Sequence, residues 1–243
     1  RNERKSHNGI SHLIEHMVFK GTARRTARDI AEEIEAVGGH LNAYTSREQT
    51  AFFARVLQDD VPLAVDVIGD ILQNSTFDPA ELEREKSVVI QEIGQANDTP
   101  DDIVFDHFQE AAYPDQAIGR AILGTPDGVS GFQRDDLTGY LGEQYYAGRM
   151  VLAAAGRVDH DALVAMATEK FGGLRANGPQ LEETARYQGG EFREIRDLEQ
   201  VHFLVGFDSI PYDDPDYYTA QVYSTLLGGG MSSRLFQEIR ESR

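Results

Sequence analysis

Two histidines and a glutamate near the start of the chain form its clearest chemical pattern, His12-Leu-Ile-Glu15-His16. On a helix, residues four apart lie on one face with Cβ atoms about 5–6 Å apart, so both imidazoles can reach one metal ion. Imidazole is a frequent zinc ligand, with a Zn–N bond of about 2.0 Å. Glu15 flanks the same face and can take a proton from water whose pKa zinc lowers to roughly 7. The pattern predicts a zinc hydrolase in which Glu15 is the general base.

Two histidines are one ligand short, because catalytic zinc usually has three protein ligands and a water. The chain has no cysteine, so the third ligand must be His, Asp or Glu. A helix predicted over residues 79–96 carries Glu81, Glu83, Glu85 and Glu92. Glu85 and Glu92 are seven apart, so they share a face, and either can bind the metal while the other supports the site. Helical periodicity does not decide which of the two binds the metal. Taken alone, each of these glutamates is better interpreted as part of a solvent-exposed face than as a ligand.

The elements that must position these residues are a mixture of helices and strands. Helices are predicted over residues 10–20, 27–37, 61–74, 79–96, 101–112, 135–145, 159–171 and 215–227. Strands are predicted over residues 40–45 and 50–57, joined as a hairpin, and over residues 150–155, 191–195 and 201–207. The mixture lacks a strict βαβ order, which favours the α+β class.

Residues 175–190 are polar and contain Gly, Pro and Glu, which is typical of a linker. We therefore predict a zinc-binding catalytic domain over residues 1–178 and the start of a second domain over residues 188–243. A further helix is predicted to begin near Ser232 and to continue to Arg243, so we expect the second domain to be incomplete.

Composition narrows the classes of partner and compartment. The 243 residues have a net charge of −18, which disfavours nucleic acid and anionic membranes and favours basic peptides. No apolar run approaches the roughly 18–20 residues of a membrane span, and residues 1–5 lack the apolar segment of a signal peptide. The absence of cysteine suits a reducing compartment. We expect a bacterial cytoplasm, with the mitochondrial matrix as the alternative.

Several motifs together resemble one family, the pitrilysin-type (M16) zinc metallopeptidases, and are closest to the branch of the mitochondrial processing peptidase β subunit and small bacterial relatives. The first is the inverted zinc motif HxxEH, followed by Phe19-Lys-Gly-Thr and by a glutamate 76 positions after His16. The others are residues 38–47, GGHLNAYTSR, and residues 227–236, LGGGMSSRLF. The resemblance covers nearly the whole chain.

The resemblance implies a ligand set and a fold. Glu92 would be the third zinc ligand, and Glu85 a second carboxylate that supports the catalytic site. The fold would be two related α+β domains, each a mostly antiparallel sheet with helices packed on it. Against that pattern we expect the chain to be short at both ends, lacking the first strands before Arg1 and the rest of the second domain.

The resemblance also implies a substrate-binding surface near the metal. The strand containing Asn42, Ala43 and Tyr44 would be an edge strand that pairs with the substrate backbone. Phe19 would line the pocket for the residue after the cut.

Further residues would bind charged parts of the substrate or the transition state. Asp102 and Asp106 match acidic residues that processing peptidases keep for a substrate arginine just upstream of the cut. They lie four apart on one predicted helix face and can hold a guanidinium between them, although an exposed acidic helix has the same pattern. Arg240 matches an arginine that stabilises the transition state from the second domain. The tyrosine that accompanies it would follow seven positions later, beyond Arg243.

The function predicted from these observations is a zinc-dependent endopeptidase that hydrolyses peptides or unfolded polypeptide segments, with a preference for arginine near the cut. The alternative is a non-catalytic M16-like subunit that binds peptides or scaffolds a complex. Such subunits typically lose motif residues, whereas His12, Glu15, His16 and Glu92 are all present here. We expect a homodimer or a heterodimer with a related subunit, and no nucleic-acid or membrane partner.

Overall fold

The computed structural model describes residues 1–179 and 183–242, which divide into two compact units, Arg1–Leu204 and Val205–Arg243. The first unit contains helices α1 (Ile10–Val18), α2 (Ala27–Glu35), α3 (Val61–Asn74), α4 (Pro79–Asp98), α5 (Pro100–Ala112), α6 (Pro126–Gly131), α7 (Arg134–Gln144) and α8 (His160–Phe171). It also contains the antiparallel strands β1 (His40–Thr45) and β2 (Thr50–Arg55). The α+β class predicted from the sequence is confirmed.

The second unit, taken by itself, contains helix α9 (Tyr217–Gly228) and a short π-helical segment (Phe236–Glu241). Residues 180–182 of the predicted linker lie outside the described residues, and the predicted domain boundaries stay a prediction. Within the described part of the chain, no helix combines the length and the apolar character needed to cross a membrane.

Helix α1, which carries the HxxEH motif, begins at a tightly packed glycine. Gly9 has a φ of +93°, and a Cβ atom there would lie 2.7 Å from the carbonyl oxygen of Leu123, so only glycine fits without strain. Because Gly9 has no side chain to cap the helix, Glu3 does so from outside. Its carboxylate accepts hydrogen bonds from the backbone N–H groups of Gly9 at 2.9 Å and of Ser11 at 2.8 Å.

Helices α2 and α4 begin as their sequences predict. Thr26 and Asp29 form a reciprocal capping box at the start of α2, with hydrogen bonds of 2.9 and 3.1 Å. Asp78 accepts two backbone hydrogen bonds from the first turn of α4, and Pro79 occupies its first position. These caps set where α2 and α4 start relative to α1.

The core of the first unit determines how α1 is oriented. Its buried apolar residues include Ile10, Leu13, Ile14, Met17 and Val18 from α1, Val67 and Ile71 from α3, and Leu82, Val89 and Ile93 from α4. Each such side chain contributes roughly 1.5–3 kcal/mol on burial. With this face in the core, the opposite stripe of α1, with His12, Glu15 and His16, must point away from the core.

The predicted hairpin is confirmed, with His40 opposite Arg55 and Thr45 opposite Thr50. Among the described residues, β1 and β2 form a two-stranded sheet, so one edge of β1 has no paired strand there. An unpaired edge exposes backbone N–H and C=O groups that another extended chain can bind.

The strands predicted over residues 150–155, 191–195 and 201–207 were wrong, since no strand is formed there. Val151, for example, is 92% exposed. The apolar pattern of these segments is typical of strands, but a strand also needs hydrogen bonds from a neighbouring backbone. These three segments find no strand partner within the described residues.

A buried ion cluster ties the loop after α1 to α3. The guanidinium of Arg25, whose side chain is 8% exposed, lies 2.6 Å from Asp66 and 2.8 Å from Asp70. Its Nε lies 3.0 Å from Glu33 on α2. Removing Arg25 would leave the buried Asp70 without a cation, which is costly in a buried site, while Asp66 would keep Arg24 and Lys170.

We predict that Arg25→Leu lowers the free energy of unfolding of the full-length protein by about 3–5 kcal/mol, because Asp66 and Asp70 lose their buried partner. Urea denaturation measures the change. Arg28→Leu is the matched control, since Arg28 pairs with Glu32 on α2 with a side chain that is 82% exposed, and its loss should be below about 1 kcal/mol. Equal losses in the two variants would contradict a special contribution from the buried cluster.

Candidate metal centre

The three residues proposed as metal ligands meet between α1 and α4. Nε2 of His12 lies 3.7 Å from Oε2 of Glu92, and Nε2 of His16 lies 3.6 Å from the same oxygen. One ligand atom from each residue falls within 4.8 Å of the others. The helix crossing therefore brings together residues that are 76 positions apart in sequence.

The spacing of these atoms fits a zinc ion better than it fits direct hydrogen bonds. At 3.6 and 3.7 Å the nitrogen–oxygen pairs are too far apart for a good hydrogen bond. Around a tetrahedral zinc with bonds of about 2.0–2.1 Å, neighbouring ligand atoms lie about 3.3 Å apart. Two imidazoles and one carboxylate are also a ligand set found in catalytic zinc sites.

Glu85 contacts His16 at Nδ1, the ring nitrogen other than the one that faces Glu92. Its Oε2 lies 3.1 Å from Nδ1 of His16, and its Oε1 lies 2.7 Å from the ammonium group of Lys20. Glu85 is therefore a buried carboxylate with both oxygens in contact with polar partners. The role of Glu85 as a second carboxylate that supports the site stays a prediction.

His12 lies in a drier environment than a surface histidine. Burial, and the nearby ring of His16, lower the pKa of His12 to about 4. Its Nδ1 is buried and has no hydrogen-bond partner among the described residues. The ring is thus neutral at physiological pH, which is the state that binds a metal.

Glu15 is oriented by a residue of the hairpin. The hydroxyl of Thr45, at the end of β1, donates a hydrogen bond of 2.5 Å to Oε2 of Glu15. Thr45 also lies 3.3 Å from the hydroxyl of Thr50 on β2. Since Glu15 lies between His12 and His16 on α1, this contact fixes a carboxylate beside the ligand cluster.

The residues implied in substrate binding lie along the hairpin and the end of α1. Asn42 and Tyr44 are exposed on β1, and Ala43 between them is half-buried. The backbone N–H of Ala43 donates to Oδ1 of Asn42 at 2.8 Å. Phe19 lines a cavity of about 240 Å³ together with residues of α2, including the buried Ile30 and Ile34, and with the start of β1, including Leu41. Their contacts with a substrate stay a prediction.

The predicted acidic pair on α5 does not present two unpaired carboxylates. Asp102 is exposed, but Asp106 forms an ion pair with Arg47, at 2.5 Å from Nη2. The same guanidinium also donates to the carbonyl oxygen of Arg120 at 2.6 Å. Asp106 is thus already paired with a guanidinium of the same chain.

Arg240 lies in the second unit, where its guanidinium carbon is 5.1 Å from the centre of the Phe236 ring. Its assignment to transition-state stabilisation stays a prediction.

A larger cavity of about 700 Å³ lies beside β2 and is lined by Thr45, Phe52, Tyr140, Tyr145 and Val151 among others. None of the three candidate ligands lines it. Burial raises the pKa of Tyr140 to about 12 and also raises that of Tyr145, so both phenols stay protonated. The candidate ligands therefore lie at the α1–α4 crossing and not in this cavity.

Comparison with known proteins identifies the family of this chain. Residues 1–126 match the family model described as insulinase (peptidase family M16), and residues 131–243 match the model described as peptidase M16 inactive domain. This chain belongs to peptidase family M16. The three candidate ligands and Glu15 all fall in the first match.

Individual M16 relatives extend over nearly the whole chain. A protein of Rickettsia felis named as a zinc protease is 42% identical over 242 residues, which are 99% of this chain and 59% of the relative. A Dictyostelium discoideum protein named mitochondrial-processing peptidase subunit beta is 39% identical over 234 residues, 93% of this chain and 50% of the relative. The chain thus spans well under two thirds of these relatives.

Among solved structures, a protease from Helicobacter pylori has a TM-score of 0.81 at 19% identity, covering 99% of this chain and 60% of that chain. At this identity the likeness shows a shared fold only.

Two residues beside the candidate metal centre were missed by sequence reasoning, Lys20, which contacts Glu85, and Thr45, which contacts Glu15. Lys20 is four positions after His16, so helical spacing alone would have placed it near the ligand. Thr45 follows the exposed Tyr44 in a strand, and strand alternation would have pointed it inward. Neither signal identifies a partner, because Glu85 and Glu15 lie 65 and 30 positions away.

We predict that acidification destabilises the metal-free protein partly through His12. Because its pKa falls from 6.5 to about 4 on folding, the unfolded chain takes up the proton first, and stability present above pH 6.5 is lost as pH falls to about 4. The difference in unfolding free energy between wild type and His12→Gln should therefore change by about 2–3 kcal/mol between pH 7 and pH 4.

Denaturant titrations of the metal-free, full-length protein at both pH values measure this difference. His160→Gln, at the exposed start of α8, is the control for the substitution itself. A pH-independent difference for His12→Gln would contradict the assignment of His12 as a desolvated, neutral ring.

Proposed function

We propose that the full-length protein is a zinc-dependent endopeptidase that hydrolyses peptides or unfolded polypeptide segments. His12, His16 and Glu92 are the metal ligands, and Glu15 is the general base. The observation that carries the proposal is the approach of both imidazole Nε2 atoms to one Glu92 oxygen, at 3.7 and 3.6 Å, on the face that presents Glu15. The relatives named as zinc proteases support the choice of metal.

The chemistry assigned to the chain's own residues is proton transfer and positioning. When bound, zinc supplies Lewis-acid activation of water and of the scissile carbonyl. Glu15 accepts the proton of the attacking water and delivers it to the leaving amine. The hydrogen bond from Thr45 holds Oε2 of Glu15, which leaves Oε1 to receive that proton.

The substrate binds along the hairpin in this proposal. An extended peptide adds to the edge of β1 at Asn42, Ala43 and Tyr44, because main-chain hydrogen bonds there do not depend on substrate sequence. The side chain of Asn42 already accepts from the N–H of Ala43, so Asn42 satisfies that donor until a substrate arrives. Phe19 and its cavity receive the side chain that follows the cut.

An arginine preference near the cut is the finer part of the proposal. Asp102 and Asp106 lie on one face of α5, where carboxylates four apart can hold a guanidinium. Arg47 already neutralises Asp106. A substrate arginine therefore binds chiefly to Asp102, at an exposed position where an ion pair is worth about 1 kcal/mol or less, so we expect the preference to be weak.

The alternative function is a non-catalytic M16 subunit that binds peptides or scaffolds a complex. The observation in its favour is the match of residues 131–243 to the inactive-domain model. That match lies outside the ligand cluster and suits the second half of an active enzyme equally well. We favour the enzyme because the three candidate ligand atoms lie within 4.8 Å of one another, and because Glu15 lies on the same helix as both histidines.

For assembly, we propose a homodimer or a heterodimer with a related subunit, since one relative is named as a subunit. A bacterial cytoplasm is the proposed compartment, with the mitochondrial matrix as the alternative.

Zinc content tests the ligand set. We predict about one zinc per full-length wild-type protein, and loss or marked weakening of binding in Glu92→Gln, because the amide oxygen is a poorer ligand than the carboxylate. Elemental analysis after dialysis measures both. Glu110→Gln, an exposed position on α5, is the matched control and should keep its zinc. Wild-type protein that remains metal-free even after zinc is added would favour the non-catalytic subunit.

Glu15→Gln separates metal binding from proton transfer. We predict that this variant keeps the zinc stoichiometry of wild type but loses about 10²–10⁴-fold in peptide cleavage, because the amide cannot accept the proton of water. Cleavage of a mixture of unstructured peptides, followed by mass spectrometry, measures the loss and also reveals the residues flanking the cut. Near-normal cleavage by Glu15→Gln would show that another group is the base.

A further inference from the structure

Lys20 contacts the metal site through Glu85 and has no part in the chemistry described so far. We propose that Lys20 is a positioning residue: it holds Oε1 of Glu85 so that Oε2 accepts a hydrogen bond from Nδ1–H of His16, which leaves the His16 lone pair on Nε2 for the metal. This inference deepens the proposed function and rests on it for the identity of the metal. The tautomer of His16 in the metal-free protein is a consequence that does not need the metal.

The hydrogen-bonding capacity of each group leads to this tautomer. A lysine ammonium has only donors, so at 2.7 Å from Lys20 the Oε1 of Glu85 must be an acceptor. A carboxylate has only acceptors, so at 3.1 Å the Nδ1 of His16 must be the donor. In a neutral imidazole the other nitrogen then carries the lone pair. That nitrogen, Nε2, is the one that faces Glu92 at 3.6 Å.

The backbone around Lys20 holds it in one place. Its N–H donates to the carbonyl of Met17 at 3.1 Å, which closes the last turn after α1. The next residue, Gly21, has a φ of +126°, a conformation that favours glycine. The carbonyl of Gly21 accepts from the backbone N–H of Thr76 at 3.1 Å, which links this turn to the segment just before α4. Lys20 is thus anchored between the helices that carry His16 and Glu85.

Burial of the carboxylate distinguishes this ion pair from the other pairs on α4. The side chain of Glu85 is 9% exposed, whereas the carboxylates that pair with Arg84 and Lys86 belong to Glu81 and Glu83, which are 31% and 69% exposed. A buried carboxylate that loses its cation keeps the cost of desolvation without the compensating charge. The orientation of Glu85 therefore depends on Lys20 to a degree that a surface pair would not show.

The two ligand histidines differ in just this respect. Nδ1 of His16 has Glu85 as its partner, while Nδ1 of His12 has none among the described residues. Ligand histidines commonly use the second nitrogen to bond a carboxylate or carbonyl, and losing such a partner weakens metal binding about 10–100-fold. Lys20 thus acts on the one imidazole whose orientation the protein fixes by a side chain.

A purely structural contact would have different consequences. Lys20 could do no more than join α1 to α4, in which case its loss would lower stability without changing the state of His16. Lys170 offers a matched comparison, since its side chain has the same 31% exposure as that of Lys20 and lies 2.9 Å from a carboxylate of Asp66. It belongs to α8, away from the ligands.

The experiment compares wild type, Lys20→Met, Lys20→Arg and Lys170→Met in the full-length protein. Histidine labelled with ¹⁵N reports the His16 tautomer in the metal-free state, with the resonance assigned through a His16→Gln variant. Competition with a chromogenic chelator reports zinc affinity, and thermal unfolding without metal reports stability.

We expect a single His16 tautomer with the lone pair on Nε2 in wild type, Lys20→Arg and Lys170→Met. Lys20→Met should lose this single tautomer and bind zinc about 10–100-fold more weakly, while Lys20→Arg, which is also a pure donor, should stay within a fewfold of wild type. A lone pair on Nδ1 in wild type would overturn the proposal, and this reading needs no variant to fold.

The proposal would also be overturned if Lys20→Met kept the His16 tautomer and the zinc affinity of wild type and lost only stability, as Lys170→Met is expected to do. Wild-type protein that shows the expected tautomer but binds no zinc would instead refute the proposed function and leave the contact of Lys20 with His16 through Glu85 supported.

Discussion

The crossing of α1 over α4 is the constraint on which the site depends. The apolar face of α1 and the residues Leu82, Val89 and Ile93 of α4 are buried in the same core. Glu85 and Glu92 flank Val89 along α4, at spacings of four and three residues, so burial of Val89 directs both carboxylates to the α1 side. The hydrophobic effect thus sets the position of the ligands, although no ligand belongs to the core.

Placing polar groups next to this core costs desolvation free energy. Glu85 and His12 differ in how far polar partners offset that cost. Glu85 is offset by Lys20 and His16, each within 3.1 Å. His12 is dry and neutral, and its Nδ1 has no partner among the described residues. A buried imidazole without a partner lowers the stability of the fold, but it keeps the ring neutral and able to bind a cation. Functional sites commonly reduce stability in this way. His16 is therefore held by a side-chain partner, whereas His12 is held by packing.

Sequence reasoning succeeded where the information was local. The starts of α2 and α4 follow from caps one to three residues away, and the β1–β2 hairpin from its short turn. The HxxEH motif needs only helical spacing. Reasoning from the residues left Glu85 and Glu92 undecided, because their distinction lies in which carboxylate faces two imidazoles across another helix.

The failures have a common physical cause, which is dependence on distant partners. The apolar segment over residues 150–155 has the composition of a strand, but strand formation is decided by whether another backbone lies alongside it. Lys20 and Thr45 escaped notice for a similar reason. Each acts through a carboxylate that only the folded chain brings near, and neither residue type marks a metal site by itself.

The pair formed by Arg47 and Asp106 shows how an internal contact changes the meaning of a motif. As a sequence pattern, two aspartates four apart on α5 indicate a site for a substrate guanidinium. In the folded chain Arg47, from the turn of the hairpin, donates to Asp106 and also to the carbonyl of Arg120. These contacts connect the hairpin to α5, so Asp106 helps to hold the strand that would bind the substrate backbone. To bind Asp106, a substrate arginine would have to displace Arg47 or share the carboxylate with it. Asp102 is exposed, so a substrate arginine could bind there without displacing a partner. Asp106 is therefore better understood as support for the β1 edge, and the proposed preference for arginine would depend on Asp102 and on groups that join it when the substrate binds.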